Sequence, residues 1–313
     1  MEVKYKVSVA VITYNHEDYI ERALLSVINQ KTSFDFEIVI GDDCSNDATS
    51  TICQKFADIY KDNITYIRNA KNLRYINNLL NVLHHCTGEY IALLEADDYW
   101  VTSDKLQKQV NILERDRSIV LCFSNALIDD TLEPHRKQYF YRKKDMIFSL
   151  EDCLRQIIAP TSSYLFRRDL FKAPAWFNQL AAYEYMMIFL LAQYGGIYYL
   201  NECTSSRTQH YKGQSTTTIK EDKLIFSEVK YFNCLLNEFP VKERERYRPI
   251  VLMKQIHHVN NLFTKYGVKK ANEAFMYIKF SKLLPKYYNI TLVATYIKLQ
   301  TRIGLSKAGL LRK

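Results

Sequence analysis

Two pairs of carboxylates are the residues of this 313-residue chain best suited to chemistry. Asp42-Asp43 and Asp97-Asp98 each stand directly after an apolar, strand-like segment. Clustered carboxylates repel one another, so the arrangement costs stability unless cations or hydrogen-bond donors satisfy them. Oxygen-only ligands suit a hard divalent ion, Mg²⁺ or Mn²⁺, which usually shares its coordination with substrate phosphates. The alternative is that both pairs are polar turns at strand ends.

Apolar segments alternate with helical patterns through the first half of the chain. Strands are predicted at 7–13, 36–40, 64–68, 89–94 and 119–125. Helices are predicted at 18–29, from about 48, at 76–85 and at 105–116. This order predicts an α/β fold with a mostly parallel sheet that helices cover on both faces. Ligands of such sheets bind outside the carboxyl ends of the strands, which is where both carboxylate pairs lie.

The pattern is less regular after the fifth strand. Residues 129–148 predict a loop or an irregular hairpin, and a helix at 183–194 precedes a short strand at 197–200. The rest of the chain has helical periodicity only. We therefore expect an α/β domain over 1–220 and a helical, basic region over 221–313.

Composition excludes several classes of protein. Glycine numbers only 8, well below the usual share of about 7%. Neither common glycine-rich phosphate loop is present, so a nucleotide would need another binding device. No apolar run is long enough to span a membrane, and the N-terminus lacks a signal-peptide cleavage site. Seven cysteines without a C-x-x-C pair indicate buried thiols in a reducing, cytoplasmic compartment.

Six short motifs together resemble family-2 glycosyltransferases of bacterial cell-surface polysaccharide synthesis. They lie at 7–15, 42–47, 71–73, 87–91, 95–100 and 105–110. The resemblance runs over roughly 5–215 and depends on the order and spacing of the motifs. It implies a GT-A fold, a nucleotide-sugar donor of the UDP type, inversion at the anomeric carbon and a Mn²⁺ or Mg²⁺ cofactor. It also implies a glycan or polyprenyl-linked acceptor.

The resemblance further implies a donor site built from residues that follow the strands. Thr13 and Tyr14 match donor-binding positions, with Tyr14 as the aromatic residue near the base. Asp43 matches the carboxylate that accepts from the uracil ring nitrogen. Glu95 and Asp97 occupy the two acidic positions of the D-x-D motif.

The resemblance leaves two candidates for the metal ligand, and three residues of the site loops depart from the family pattern. Family alignments put the metal-binding carboxylate at either Asp97 or Asp98, so both are predicted ligands. Glu95 is one methylene longer than the usual Asp, and Cys44 replaces a glycine. Arg74 also stands where glycine is common; it either reaches the diphosphate or is a surface residue.

Glu184 matches the position of the acceptor base, for which the family uses an Asp at the start of a late helix. Flanking tyrosines and a following apolar helix would raise its pKa toward useful values. The alternative is a first-turn carboxylate that the helix dipole favours. Arg207 and His210 lie in a segment that resembles one of the family, and the resemblance implies that either residue contacts the diphosphate or the metal. Trp100 either offers a platform to an acceptor sugar or packs in the core.

Positive charge is concentrated at the C-terminal end. The net charge is +9, yet residues 1–220 carry 25 basic and 27 acidic side chains. Residues 274–313 carry eight basic and no acidic side chains. A helix from about Leu292 would have an apolar stripe beside basic residues, which suits peripheral contact with the anionic inner face of the cytoplasmic membrane. The alternative is a helix packed on the body with a basic exterior, and nucleic acid is not an expected partner.

A binding module is the competing class of function. Glu95 and Glu184 both replace the usual Asp, and these departures favour a degenerate domain that holds a nucleotide-sugar or glycan without turnover. Metal-dependent binding is common to both classes. Turnover of a donor separates them.

Overall fold

The computed structural model of the chain describes residues 4–130, 137–139, 144–155, 159–209, 221–275, 277 and 301. Two compact units divide the chain: Met1–Ala173 with Met187–Thr217, and Pro174–Met186 with Thr218–Lys313. His210 and nearly all of the basic segment 274–313 lie outside the described residues. The division at residue 220 into a GT-A domain and a helical region stays a prediction.

Ten strands of the described residues form one sheet in the first unit. The strands are β1 (Val7–Thr13), β2 (Phe36–Asp42), β3 (Ile64–Arg68), β4 (Tyr90–Glu95), β5 (Tyr99–Trp100), β6 (Ile119–Asp130), β7 (Lys137–Tyr139), β8 (Met146–Phe148), β9 (Leu165–Arg167) and β10 (Gly196–Gln209). Their order is β3-β2-β1-β4-β9-β6-β10-β5, with β7 beside β6 and β8 beside β10. Neighbours among β1 to β4 are parallel, as are β6 and β10, which confirms a mostly parallel central sheet.

Helices follow most strands of the first unit and make up most of the second. They are α1 (Ile20–Ile28), α2 (Thr49–Ile59), α3 (Tyr75–His85), α4 (Lys105–Arg115), α5 (Leu150–Arg155), α6 (Glu184–Ala192), α7 (Glu221–Glu238), α8 (Val241–Tyr266) and α9 (Val268–Phe275). Single 3-10 turns lie at Thr161–Ser163, Arg168–Leu170 and Phe177–Gln179. Within the described ranges, no helix combines the length and apolarity that crossing a membrane requires.

Apolar periodicity explains the central elements. All seven residues of β1 are buried, which is why its sequence is a nearly continuous apolar run. Helix α1 buries Ile20, Ala23, Leu24 and Val27, a spacing of three and four that keeps one face on the core. Burying each large aliphatic side chain stabilises the fold by roughly 1.5–3 kcal/mol.

The antiparallel strands are the part of the sheet that periodicity does not predict. Strands β5 and β9 have two and three residues, too few for an alternating pattern to be recognised. In the region where the sequence predicts a loop or an irregular hairpin, β7 returns antiparallel onto β6. Strand β8 pairs instead with β10, which is distant in sequence.

Helix α4 buries a lysine. Lys105 and Gln109 are fully buried, and Lys105 Nζ donates a hydrogen bond to Gln109 Oε1 at 2.7 Å. The same nitrogen lies 4.2 Å from the ring centroid of Trp100. Burial lowers the pKa of Lys105 to about 7, because the charged amine loses its hydration.

Replacing Lys105 should change how stability depends on pH. An unfolded lysine keeps its proton to about pH 10.4, whereas folded Lys105 loses it near pH 7. Between these values the unfolded state binds the extra proton, so the free energy of unfolding rises with pH. Lys105→Met should flatten this rise in urea denaturation series, while the exposed control Lys55→Met keeps it. Equal slopes for Lys105→Met and the parent protein would contradict the assignment.

Candidate active site

Three strand ends meet at the carboxyl edge of the sheet. In the register of β1, Thr13 pairs with Asp42 of β2, and the residue before Thr13 pairs with Glu95 of β4. The backbone N–H of Asp43 donates to the Thr13 carbonyl at 2.9 Å. The first, second and fourth strands therefore bring both predicted carboxylate segments to the same edge.

Asp42 is the structural member of its pair. It is completely buried, and its Oδ1 accepts the Ser45 N–H at 2.9 Å. Its Oδ2 accepts the Ser50 hydroxyl at 2.5 Å and the Tyr66 hydroxyl at 2.9 Å. Asp42 therefore fixes the turn into α2, and the polar-turn alternative describes this carboxylate.

Asp43 has one oxygen satisfied by the protein and one left over. Its side chain is 2% exposed, and its Oδ1 accepts from Asn69 Nδ2 at 3.0 Å and from the Leu73 N–H at 2.7 Å. Within the part of the chain that the structure describes, no donor pairs with Oδ2. This oxygen is not among the buried side-chain atoms without a partner in the described residues, so it is open to a hydrogen-bond donor on a ligand.

A chain of asparagines supports Asp43 from behind. Asn69 Nδ2 also donates to Asn78 Oδ1 at 2.9 Å, and Asn81 Nδ2 donates to Asn69 Oδ1 at 3.0 Å. Asn78 Nδ2 reaches the Gly41 carbonyl at 2.7 Å. A Cβ at Gly41 would lie 2.7 Å from Asn78 Oδ1, so only glycine leaves room for this contact. The motifs do not single out Asn69, although it directly follows a predicted strand and that position could have identified it.

Three residues with positive φ lie in these loops. Asn15, Cys44 and Arg74 have φ of 55°, 65° and 68°. Asn tolerates this region, but a side chain with Cβ there costs roughly 1–2 kcal/mol. Cys44 and the exposed Arg74 are the two positions where the family commonly has glycine, so both departures carry backbone strain.

The second carboxylate pair divides into a buried and a half-buried member. Asp98 is 5% exposed, and its Oδ1 accepts the Thr208 N–H at 2.8 Å, whereas Asp97 is half-buried. Burial and the charge of Asp97 raise the pKa of Asp98 well above its usual range. The Thr208 amide and the positive charge of Arg207 act in the opposite direction, which brings Arg207 into the electrostatic environment of the pair.

The carboxylate pair fits a divalent cation that takes other ligands from a substrate. Among the described residues, no three His, Cys, Asp or Glu side chains cluster as a self-sufficient metal site. Mg²⁺ and similar ions are often held by one or two carboxylates and complete their shell with phosphate oxygens and water. Burial and the charge of Asp97 disfavour the ionised form of Asp98, and a bound cation would stabilise that form.

The remaining predicted residues have different placements. Tyr14 is 38% exposed, so its ring is accessible. Trp100 is 4% exposed and its Nε1 donates to the Ser162 carbonyl at 2.8 Å. Of the two alternatives at Trp100, the structure therefore favours packing in the core over a sugar platform. Glu184 is the first residue of α6 and belongs to the second unit.

Sequence comparison identifies the family. Residues 8–173 match Glycosyl transferase family 2. The chain belongs to this family. A curated relative is the Escherichia coli UDP-Glc:α-D-GlcNAc-diphosphoundecaprenol β-1,3-glucosyltransferase WfaP, 35% identical over 127 residues, which are 39% of this chain and 47% of WfaP. The chain spans less than half the length of the curated relatives it matches.

Solved structures show that this family 2 chain has the GT-A fold. Staphylococcus aureus TarS 1–349 in complex with UDP-GlcNAc superposes with a TM-score of 0.61 at 16% identity, covering 91% of this chain and 93% of TarS 1–349. The mannosyltransferase PcManGT of Pyrobaculum calidifontis, in complex with GDP-Man and Mn²⁺, has a TM-score of 0.58 at 16% identity. That match covers 95% of this chain and 80% of PcManGT.

Replacing Cys44 by glycine should stabilise the protein. Relief of a strained Cβ at φ 65° is worth roughly 1–2 kcal/mol, and the extra freedom of glycine in the unfolded chain offsets about 0.5–1 kcal/mol of it. A net gain of about 1 kcal/mol is expected in urea denaturation. Cys44→Ala is the control, because it removes the thiol but keeps Cβ. A similar gain in both variants would show that the thiol, and not the backbone, is responsible.

Proposed function

We propose that this protein is an inverting, metal-dependent glycosyltransferase that moves a sugar from a UDP-sugar to a glycan or polyprenyl-linked acceptor in surface polysaccharide biosynthesis. Membership of family 2 supports the class of reaction. The observation that carries the donor assignment is the half-satisfied carboxylate of Asp43, with Oδ1 held by two N–H groups and Oδ2 without a donor in the described residues.

The chemistry of the bases explains why a carboxylate favours uridine over cytidine and adenosine. Uracil presents a ring N–H between two carbonyls, and a carboxylate oxygen accepts from that group. Cytosine and adenine present an unprotonated, accepting nitrogen at the equivalent position, which would repel Asp43. The exposed ring of Tyr14 is available to stack on the base. Stacking of a base on an aromatic side chain contributes about 1–3 kcal/mol in proteins that bind single-stranded nucleic acid.

The reacting end of the donor would lie with the second carboxylate pair. Asp97 and Asp98 would hold Mn²⁺ or Mg²⁺, and a bound divalent cation neutralises charge on a diphosphate leaving group. Glu95 would contact the ribose or sugar, and Arg207 would add positive charge near the diphosphate. Arg74, exposed at the start of α3, is a further candidate for the diphosphate.

Glu184 would accept the proton of the acceptor hydroxyl. Positioned general bases typically accelerate such steps by about 10²–10⁴-fold. Its place at the first residue of α6 agrees with the helix start from which the family supplies its base. The lipid-linked acceptor named for WfaP supports a polyprenyl-linked acceptor here, and the basic segment 274–313 is proposed to contact the anionic membrane surface that holds such a carrier.

Asp43→Asn should weaken UDP binding and shift the base preference. The amide would keep its oxygen toward Asn69 and turn its NH₂ toward the ligand, where it repels the uracil N–H. Losing a hydrogen bond to a charged group is worth about 1.5–3 kcal/mol, or roughly 10- to 100-fold in Kd for UDP. Calorimetry with UDP and CDP measures both effects, and CDP should gain relative to UDP.

The control for this substitution is Asp58→Asn, the same change on the exposed face of α2. It should leave both affinities unchanged. An Asp43→Asn variant that binds UDP as tightly as the parent protein would remove the support for a uridine donor.

Asp97→Asn and Glu184→Gln should fail at different steps. Asp97→Asn is expected to abolish the gain in UDP affinity that Mn²⁺ gives, because it removes a ligand charge. Glu184→Gln should keep that gain and lose at least about 100-fold in UDP release from a panel of UDP-sugars with acceptor lipid. Metal-dependent binding without turnover of any donor by the parent protein would favour the binding module instead.

A further inference from the structure

An arginine outside the predicted site joins four elements of the first unit. Arg22, on α1, places its guanidinium 4.0 Å from the ring centroid of Tyr99 on β5. Its Nη2 donates to Thr208 Oγ1 on β10 at 3.1 Å, and its Nη1 lies 3.5 Å from Asp129 Oδ2 on β6. The Tyr99 hydroxyl donates to the same oxygen of Asp129 at 3.1 Å, which closes the cluster.

Thr208 links this cluster to the carboxylate pair. Its backbone N–H donates to Asp98 Oδ1 at 2.8 Å, while its hydroxyl accepts from Arg22. Thr208 is 6% exposed and Asp98 is 5% exposed, so water competes poorly for the hydrogen bond between them. One residue is thus held from two sides, by the arginine and by the carboxylate.

The geometry of the contact is specific to arginine. Arg22 is 41% exposed, so its ion pair with Asp129 contributes little by itself. A planar guanidinium can stack on an aromatic ring and donate in its own plane at the same time, which a lysine ammonium cannot do. The Arg22 guanidinium lies over the Tyr99 ring and donates to Thr208 Oγ1, so it holds the side chain of the residue whose amide donates to Asp98.

We propose that Arg22 is a positioning residue for the metal-binding carboxylates: through Thr208 it orients Asp98. This role rests on the proposed function of the Asp97-Asp98 pair. A purely structural role, in which Arg22 only holds α1 against the sheet, would affect the stability of the protein. It would not affect the gain in donor affinity that the metal gives.

The test measures UDP binding by calorimetry with EDTA and with Mn²⁺, beside thermal unfolding. Arg22→Ala should leave metal-free UDP binding unchanged and lower the gain from Mn²⁺ roughly fivefold, the effect of one lost hydrogen bond. Arg22→Lys should show the same loss, because charge alone does not fix Thr208. Arg117→Ala, an exposed arginine on the same unit, is the matched control and should behave as the parent protein.

A double variant shows whether the effect passes through Thr208. Thr208→Val removes the hydroxyl and keeps the amide that holds Asp98, so it should reproduce the loss seen in Arg22→Ala. Adding Arg22→Ala to Thr208→Val should then have no further effect, because residues acting through one contact are not additive.

Three results would overturn the role. They are equal losses of UDP affinity with and without Mn²⁺, full rescue by Arg22→Lys, and losses from Arg22→Ala and Thr208→Val that multiply. A parent protein that binds UDP without any gain from Mn²⁺ would contradict the proposed metal site itself and this role with it. That outcome is seen in the parent protein alone, so the two failures are distinguished.

Discussion

Strand β1 is hydrogen-bonded in parallel to β2 on one side and to β4 on the other, and the candidate site depends on that register. Parallel strands that end together bring the residues after them to one place. Asp42 and Asp43 are chemically identical, yet one is an internal anchor and the other has an oxygen to offer. The difference lies in their partners: donors occupy both oxygens of Asp42, whereas in the described residues they occupy only Oδ1 of Asp43.

Neutral N–H groups orient Asp43 and Asp98 of the candidate site. Asp43 accepts from a side-chain amide and a backbone amide, and Asp98 accepts from the backbone of Thr208. Such donors fix a carboxylate without cancelling its charge, so the charge remains available to a bound group. Cys44 and Arg74 hold backbone conformations that cost energy for residues with a side chain, so contacts elsewhere in the fold must offset that cost.

The sequence predicts much of the fold because its parallel strands and helices are long enough to show a period. It also predicts that the two carboxylate segments of the candidate site lie at the carboxyl edge of the sheet, since that follows from β/α order. It does not predict Arg22, because Arg22 meets Thr208 across 186 positions of the chain. The motifs also pass over Asn69, although its position directly after a strand could have identified it. The sequence leaves two alternatives at Trp100, because an aromatic residue after a strand is equally compatible with a surface and with a core.

The first unit is built from two separate segments of the chain, so its sheet cannot be completed until the second segment has been synthesised. Strand β10 fills an interior place between β6 and β5, but it follows the excursion of Pro174–Met186 into the second unit. During synthesis, β5 and β6 would expose unpaired edges until residue 209 has emerged, and such edges invite association with other chains. The family match ends at residue 173, before that strand. The family match therefore covers a shorter segment than the one that must be synthesised before all strands of the sheet are present.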